Sequence, residues 1–289
     1  MDWEKIKKIF IYILVLVNIG LLTVNYKNTR KYTMTSDEEK AVFKLLSDNN
    51  IGVYTNLIKN SPPMRQAAVT VPVFTNEEIR NVFFSSDEEM KITVDFDSVE
   101  FKSSEKEVTV SGNSIHFAAE NGTGEIKEIG RKKAFDLAED FIESLDITQG
   151  RTIEAETVRD ENNGYRVYFS ESFGGEKIFC SFAEVYVTEK GVEEADFTFY
   201  DTEGYIGEKR QICSSDEALL TVMYEIKSIS DLPSGTYIEK IERGYDFGGE
   251  NDIADVSVIK LVPCYRVYVS SFNEPFIVNA YTNTIMKKK

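Results

Sequence analysis

Few side chains in this 289-residue chain are of the types that run reactions, and their spacing decides what they can do. The one histidine, His116, stands between Ile115 and Phe117 in an alternating apolar pattern, with no serine or cysteine nucleophile at a recognisable motif. Most hydrolytic and metal-centred chemistry needs two or more imidazoles, so His116 reads as structural. Cysteines at 180, 213 and 264 show neither the short paired spacings of a zinc site nor the density of a disulfide scaffold, and at most one disulfide can form. Asp95 with Asp97, and Asp252 with Asp255 near Gly248-Gly249-Glu250, offer the oxygen ligands calcium takes, but without EF-hand spacing. In so acidic a chain such pairs read as solvated faces. Two carboxylates for glycoside hydrolysis cannot be argued without a cleft. No catalytic, cofactor or metal residue is assigned, and the chain is expected not to be an enzyme.

Charge narrows the partners further. Lys plus Arg number 33 against 49 Asp plus Glu, a net charge of -16, which repels DNA, RNA and anionic headgroups. No nucleic acid is expected as a partner. With 42% apolar residues the chain can nevertheless bury a core, so whole-chain disorder is excluded.

The elements that would position any site begin with an apolar run. Residues 9–26 carry no charge and are flanked by Lys7 and Lys8 on one side and Lys27, Arg30 and Lys31 on the other. As a helix the run spans roughly 27 Å at about 1.5 Å per residue, close to the hydrocarbon thickness of a bilayer. It leaves through Leu21-Leu22-Thr23-Val24-Asn25-Tyr26, without the small residues of a cleavage site and without a following cysteine for acylation, so it reads as an uncleaved anchor. Lys/Arg counts on the two flanks are equal and give no orientation. Size gives one: a cytoplasmic head, 1–8, a transmembrane helix, 9–26, a linker, 27–35, and an extracytoplasmic remainder at the cell membrane. Asn18, the most polar side chain deep in the anchor, is either tolerated in lipid or bonded to another membrane helix.

The remainder reads as α+β, with antiparallel sheets packed by helices. Thr35-Ser36-Asp37-Glu38, Thr75-Asn76-Glu77-Glu78 and Ser214-Ser215-Asp216-Glu217 each combine a hydroxyl cap with a carboxylate three residues on, which starts a helix. A fourth helix begins near Arg131, with Ala134, Leu137, Ala138, Phe141, Ile142 and Leu145 on one stripe. Period-two alternation marks strands over 91–97, 107–110, 114–118, 165–170, 177–187, 195–200, 256–262, 265–270 and 275–281. Turn signals stand at Gly112-Asn113, Asn121-Gly122, Asn162-Asn163-Gly164, Gly174-Gly175 and Gly248-Gly249.

Tyr165-Arg166-Val167-Tyr168-Phe169-Ser170 and Tyr265-Arg266-Val267-Tyr268-Val269-Ser270 match in all but one position. Each follows an amphipathic helix, so 126–205 and 206–289 are read as two copies of one α+β unit, after a first unit at 36–125. Alternation puts Arg166 and Tyr168, and Arg266 and Tyr268, on one face of their strands. That face is either a duplicated partner-binding surface or a solvated surface with Arg stacked on Tyr, which any half-buried strand shows.

The head Met1-Asp2-Trp3 with Lys5, Lys8, Ile9-Phe10-Ile11 and Leu16-Val17-Asn18 resembles the opening of the YycI (WalI) family. The likeness in layout continues through an early helix followed by Asn50-Ile51-Gly52 and a late Pro263-Cys264-Tyr265-Arg266-Val267 before a final hairpin. At the late segment the chain departs from the family, having Cys264 where an aromatic residue often follows the proline. The resemblance implies a single-pass accessory protein of Gram-positive bacteria that acts on a YycG/WalK-type sensor histidine kinase of a cell-wall-controlling two-component system. It also implies a YycH-type sister protein as partner, no catalysis, and contacts through the membrane helix at Trp3 and Asn18. Rival readings are an exported PepSY-like binding module that inhibits a protease or binds a cell-wall ligand, and an anchored cell-wall hydrolase. Converging carboxylates in a deep pocket would mark the hydrolase, and open sheet faces an interaction protein.

Overall fold

A computed structural model describes residues 3–126, 128–148, 150–229, 235–248 and 258–286. Asp252, Asp255, Gly249 and Glu250 lie outside the described residues. In chain order the elements are α1 (Trp3–Lys31), α2 (Ser36–Asp48), β1 (Gly52–Val53), β2 (Met64–Thr70), α3 (Asn76–Phe83), β3 (Lys91–Val94), β4 (Val99–Lys102), β5 (Lys106–Ser111) and β6 (Ser114–Ala119). There follow α4 (Arg131–Ser144), a 3-10 turn (Asp146–Thr148), β7 (Thr152–Glu161), β8 (Gly164–Phe173), β9 (Glu176–Thr188), β10 (Gly191–Thr198) and β11 (Asp201–Arg210). The chain ends with α5 (Ser215–Ser228), β12 (Tyr237–Phe247), β13 (Ile259–Val269), β14 (Phe276–Asn279) and β15 (Thr284–Met286). The fold class is α+β, with strands paired mainly antiparallel.

The chain divides into two compact units, Met1–Met64 with Glu208–Glu242 and Cys264–Lys289, and Arg65–Gly207 with Arg243–Pro263. The expected cuts fall elsewhere, at 125/126 and 205/206. Two long strands, β12 and β13, each supply residues to both units, so a cut read along the chain cannot reproduce the division. The strand patterns at 256–262 and 265–270 are one continuous β13, interrupted in sequence by Pro263. Proline gives no N–H to a ladder. Pro263 lies where β13 changes antiparallel partner, from β2 at Ile259–Leu261 to β14 at Cys264–Val267.

In the smaller unit, β1 runs parallel to β12 and the β13–β14–β15 meander is antiparallel. Both α2 and α5 open with the capping boxes expected of Thr35 and Ser214. Such a cap is worth about 1 kcal/mol, and the buried stripes, Val42 and Leu46 on α2 and Leu219, Val222, Met223 and Ile226 on α5, fix the packing. Tyr265 is fully buried, and its hydroxyl bonds Ser61 Oγ at 3.1 Å and donates to the Cys213 carbonyl at 2.9 Å.

The larger unit is organised by period-two alternation carried across a sheet in the order β7–β8–β9–β10–β6–β5–β4–β3. Register lines up two apolar rows. One runs Ala155, Phe169, Ala183, Phe197, Ile115, Val110, Val99, Val94, and the other Val158, Val167, Val185, Ala195, Phe117, Val108, Phe101, Ile92. This face is covered by Ile79 and Phe83 of α3 and Ala134, Ala138 and Ile142 of α4. Fully burying one of its phenylalanines contributes about 1.5–3 kcal/mol. Thr75 caps α3 in the expected box, and Gly122 holds a φ of 66° where an added Cβ would come within 2.0 Å of the Lys190 oxygen, so glycine is required at that turn.

Candidate functional site

Three surfaces present chemistry, and the first is α1. Over Lys7–Val24 the helix is long and apolar enough to cross a membrane, and none of that span is buried. A single N-terminal helix of this kind fits an anchor or a signal sequence. Trp3 is exposed near its start, with the Lys7 ammonium 5.6 Å from its ring. Asn18 donates to the Leu14 carbonyl at 2.8 Å and Thr23 to that of Ile19 at 2.8 Å, so each side chain finds an acceptor one turn back in its own helix. Trp3 and Asn18 are fifteen residues apart, roughly 22 Å along the axis.

The second surface is the polar face of the larger unit's sheet, opposite its core. Register places Tyr168, Glu184, Asp196, His116, Thr109 and Glu100 in one row and Arg166, Tyr186 and Glu194 in the next. Arg166 is the hub. Its Nε bonds Glu161 at 2.5 Å, and Glu194, Glu184 and Asp196 stand 3.6, 4.0 and 4.0 Å away. The guanidinium also lies 5.3 Å from the Tyr186 ring, as Arg159 lies 4.8 Å from that of Tyr168. His116 Nδ1 bonds Asp196 at 2.7 Å, with both side chains about half exposed. The hydrogen bond from Arg166 lowers the Glu161 pKa, whereas burial raises those of Glu184, Tyr168 and Tyr186. Arg–Tyr stacking is therefore present, on a half-exposed surface with more carboxylates than cations.

The corresponding pair on β13 belongs to the smaller unit. Arg266 and Tyr268 are half-buried and alternate with buried Tyr265, Val267 and Val269, and the Lys240 ammonium lies 5.5 Å from the Tyr268 ring. The two hexapeptides share alternation, but their polar neighbours differ.

The third surface was not anticipated. A cleft of about 680 Å³ in the larger unit is lined by Phe74, Glu78, Asp146, Arg151, Phe173 and Asp201, among others. Its floor is an ion network. Arg151, its side chain 10% exposed, bonds Glu171, 7% exposed, at 3.0 Å. It also donates to the Tyr200 carbonyl at 2.8 Å, pairs with Asp201, and stacks 4.7 Å from the Phe199 ring. Ser181 Oγ donates to Glu171 and accepts from the Tyr200 amide. One sequence signal pointed here: Glu171 follows Val167 and Phe169 at period two, a carboxylate on the core side of β8.

The remaining expected chemistry is dispersed. Asp95 and Asp97 sit at the β3–β4 turn, where the Asp95 amide donates to Ser98 and the Asp97 carbonyl accepts from Ser111. No group of three His, Cys, Asp or Glu among the described residues is arranged to hold a metal ion. None of the three cysteines is in a disulfide, and burial pushes the Cys213 thiol up to about 12.

No family model matches the chain, and no curated protein matches it. Among solved structures, a protein of Eubacterium rectale, described as uncharacterized, is similar over 83% of this chain and 90% of its own, with a TM-score of 0.56 and 11% identity. The C-terminal domain of Bacillus megaterium YpeB is similar over 73% of this chain and 93% of its own, with a TM-score of 0.42 and 12% identity. The first likeness shows the fold alone.

Proposed function

We propose that the chain is a membrane-anchored accessory protein, not an enzyme, that regulates a sensor histidine kinase of a cell-wall-controlling two-component system. The observation that carries this reading is α1, whose apolar span the rest of the chain leaves wholly uncovered. Lipid, or another membrane helix, is what covers such a span at lowest cost. The resemblance of the head to the YycI family supplies the kind of partner, a YycG/WalK-type kinase with a YycH-type sister. The half-exposed Arg166 face supplies a surface for the extracytoplasmic contact, because acidic, aromatic-bearing sheet faces recognise complementary charge. The head is taken to be cytoplasmic and the folded units extracytoplasmic.

Crosslinking the full chain in intact membranes, followed by its purification and identification of what travels with it, tests the reading. A histidine kinase in the adduct is expected. A secreted protease there instead would replace the kinase reading with that of an exported inhibitor. Asn18→Leu bears on the helix: the variant should insert as the parent does but lose most of its kinase adduct, and an adduct at parental yield would confine recognition to the folded units.

A further inference from the structure

The larger unit's sheet ends in an edge strand that its own sequence equips for pairing. β3 pairs with β4 along one side, and no strand among the described residues pairs with the other. Asp95 donates to Ser98 across the β3–β4 turn, so the alternation of an antiparallel ladder directs the backbone groups of Lys91, Thr93 and Asp95 toward β4 and those of Ile92 and Val94 outward. Lys91 and the four-residue length of β3 protect this edge in part, but its core-face side chains are apolar. Ile92 and Val94 continue the two apolar rows of the core face past its helical cover, at 44% and 68% exposure, and Phe96 at the turn is fully exposed.

We propose that β3 pairs antiparallel with β3 of a second copy of this chain, about a two-fold axis at Thr93. The pattern is self-complementary in that register. Ile92 falls opposite Val94 of the second copy, and the outward N–H and C=O groups of these two residues meet as hydrogen-bonded pairs. Lys91 falls opposite Asp95, an opposite-charge cross-strand pair, and Phe96 opposite Met90. Parallel pairing would instead set Lys91 beside Lys91. The match stops one residue further on, where Asp97 would face Glu89, so the contact is short. A short contact is weak between freely diffusing molecules, but confining copies to one membrane raises their effective concentration and favours it. The inference does not depend on which other protein the chain regulates.

The test is oxidative crosslinking of Thr93→Cys in the full-length chain in its membrane. Across the two-fold axis the two positions form a non-hydrogen-bonded pair about 4.5 Å apart at Cα, within the span a disulfide bridges. A disulfide-linked dimer is expected in several-fold excess over the parent chain and over Ile92→Cys, which in this register faces position 94. Adding Val94→Lys to Thr93→Cys, at the edge and away from the core, should remove most of the dimer. A Thr93→Cys chain that forms no more dimer than Ile92→Cys, that crosslinks only to a different protein, or that is indifferent to Val94→Lys overturns the proposal.

Discussion

Two arginines of the larger unit, Arg151 and Arg166, are similarly shielded, at 10% and 16% side-chain exposure, and both face carboxylates, yet their surroundings differ. Arg151 is held by Glu171, by Asp201, by a backbone carbonyl and by the Phe199 ring, so its donors are directed inward. Arg166 holds Glu161 closely and stands 3.6 to 4.0 Å from three further carboxylates on a half-exposed face. A closed network fixes a fold, while a surplus of charge at a sheet face is available to a partner. Surroundings, rather than residue type, separate the closed network from the face proposed for recognition.

Breaking the closed network should have the largest effect. Glu171→Ala leaves the Arg151 guanidinium buried with less than its full set of partners, and is expected to cost about 3–5 kcal/mol, a fall in Tm on the order of 10 °C. Thermal unfolding of the full chain measures it, and a loss comparable with a surface substitution would remove the distinction drawn between the two arginines. Arg166→Ala should cost less, roughly 1.5–3 kcal/mol, the worth of its charge-assisted hydrogen bonds, while abolishing the kinase adduct of a chain still folded at growth temperature.

Acid should separate individual members of the open face. Glu161 has a lowered folded pKa through Arg166, so its stabilising contribution is present above the unfolded carboxylate value and is lost as pH falls through the folded one. Glu184, raised by burial, runs the other way: its contribution is present below the unfolded value and lost as pH rises through the folded one. Denaturant titrations from neutral pH into the carboxylate range should therefore show Glu161→Gln flattening the acid loss of stability and Glu184→Gln steepening it. Equal curves for both would mean the face has no such asymmetry. Smallest of all, His116→Gln is expected to change stability by about 1 kcal/mol or less, since its pair with Asp196 is half exposed, and to leave signalling intact. A signalling loss at unchanged protein level would give His116 a direct role.

The sequence displayed local rules well and long-range ones poorly. Three capping boxes, at Thr35, Thr75 and Ser214, are legible because every partner lies within four residues. The alternation of Arg166 and Tyr168 with Val167 and Phe169 is legible for the same reason. Hidden were β7, β11 and β12, whose patterns carry many charged residues, the short β1, β4 and β15, β2, whose apolar residues run consecutively over Ala67–Val69, and the passage of β13 through Pro263, which depends on a change of partner strand. The Arg151 network joins residues 10 to 50 positions apart and had only the misplaced polarity of Glu171 to announce it.

The most direct measurement places a photo-reactive residue at Tyr168, on the open face beside Arg166, in the full chain in its membrane. Irradiation is expected to join it to a sensor histidine kinase, and the adduct should disappear when Arg166→Ala is added. No adduct from position 168, in a chain that is folded, inserted and present at parental level, would contradict the assignment of this face to recognition.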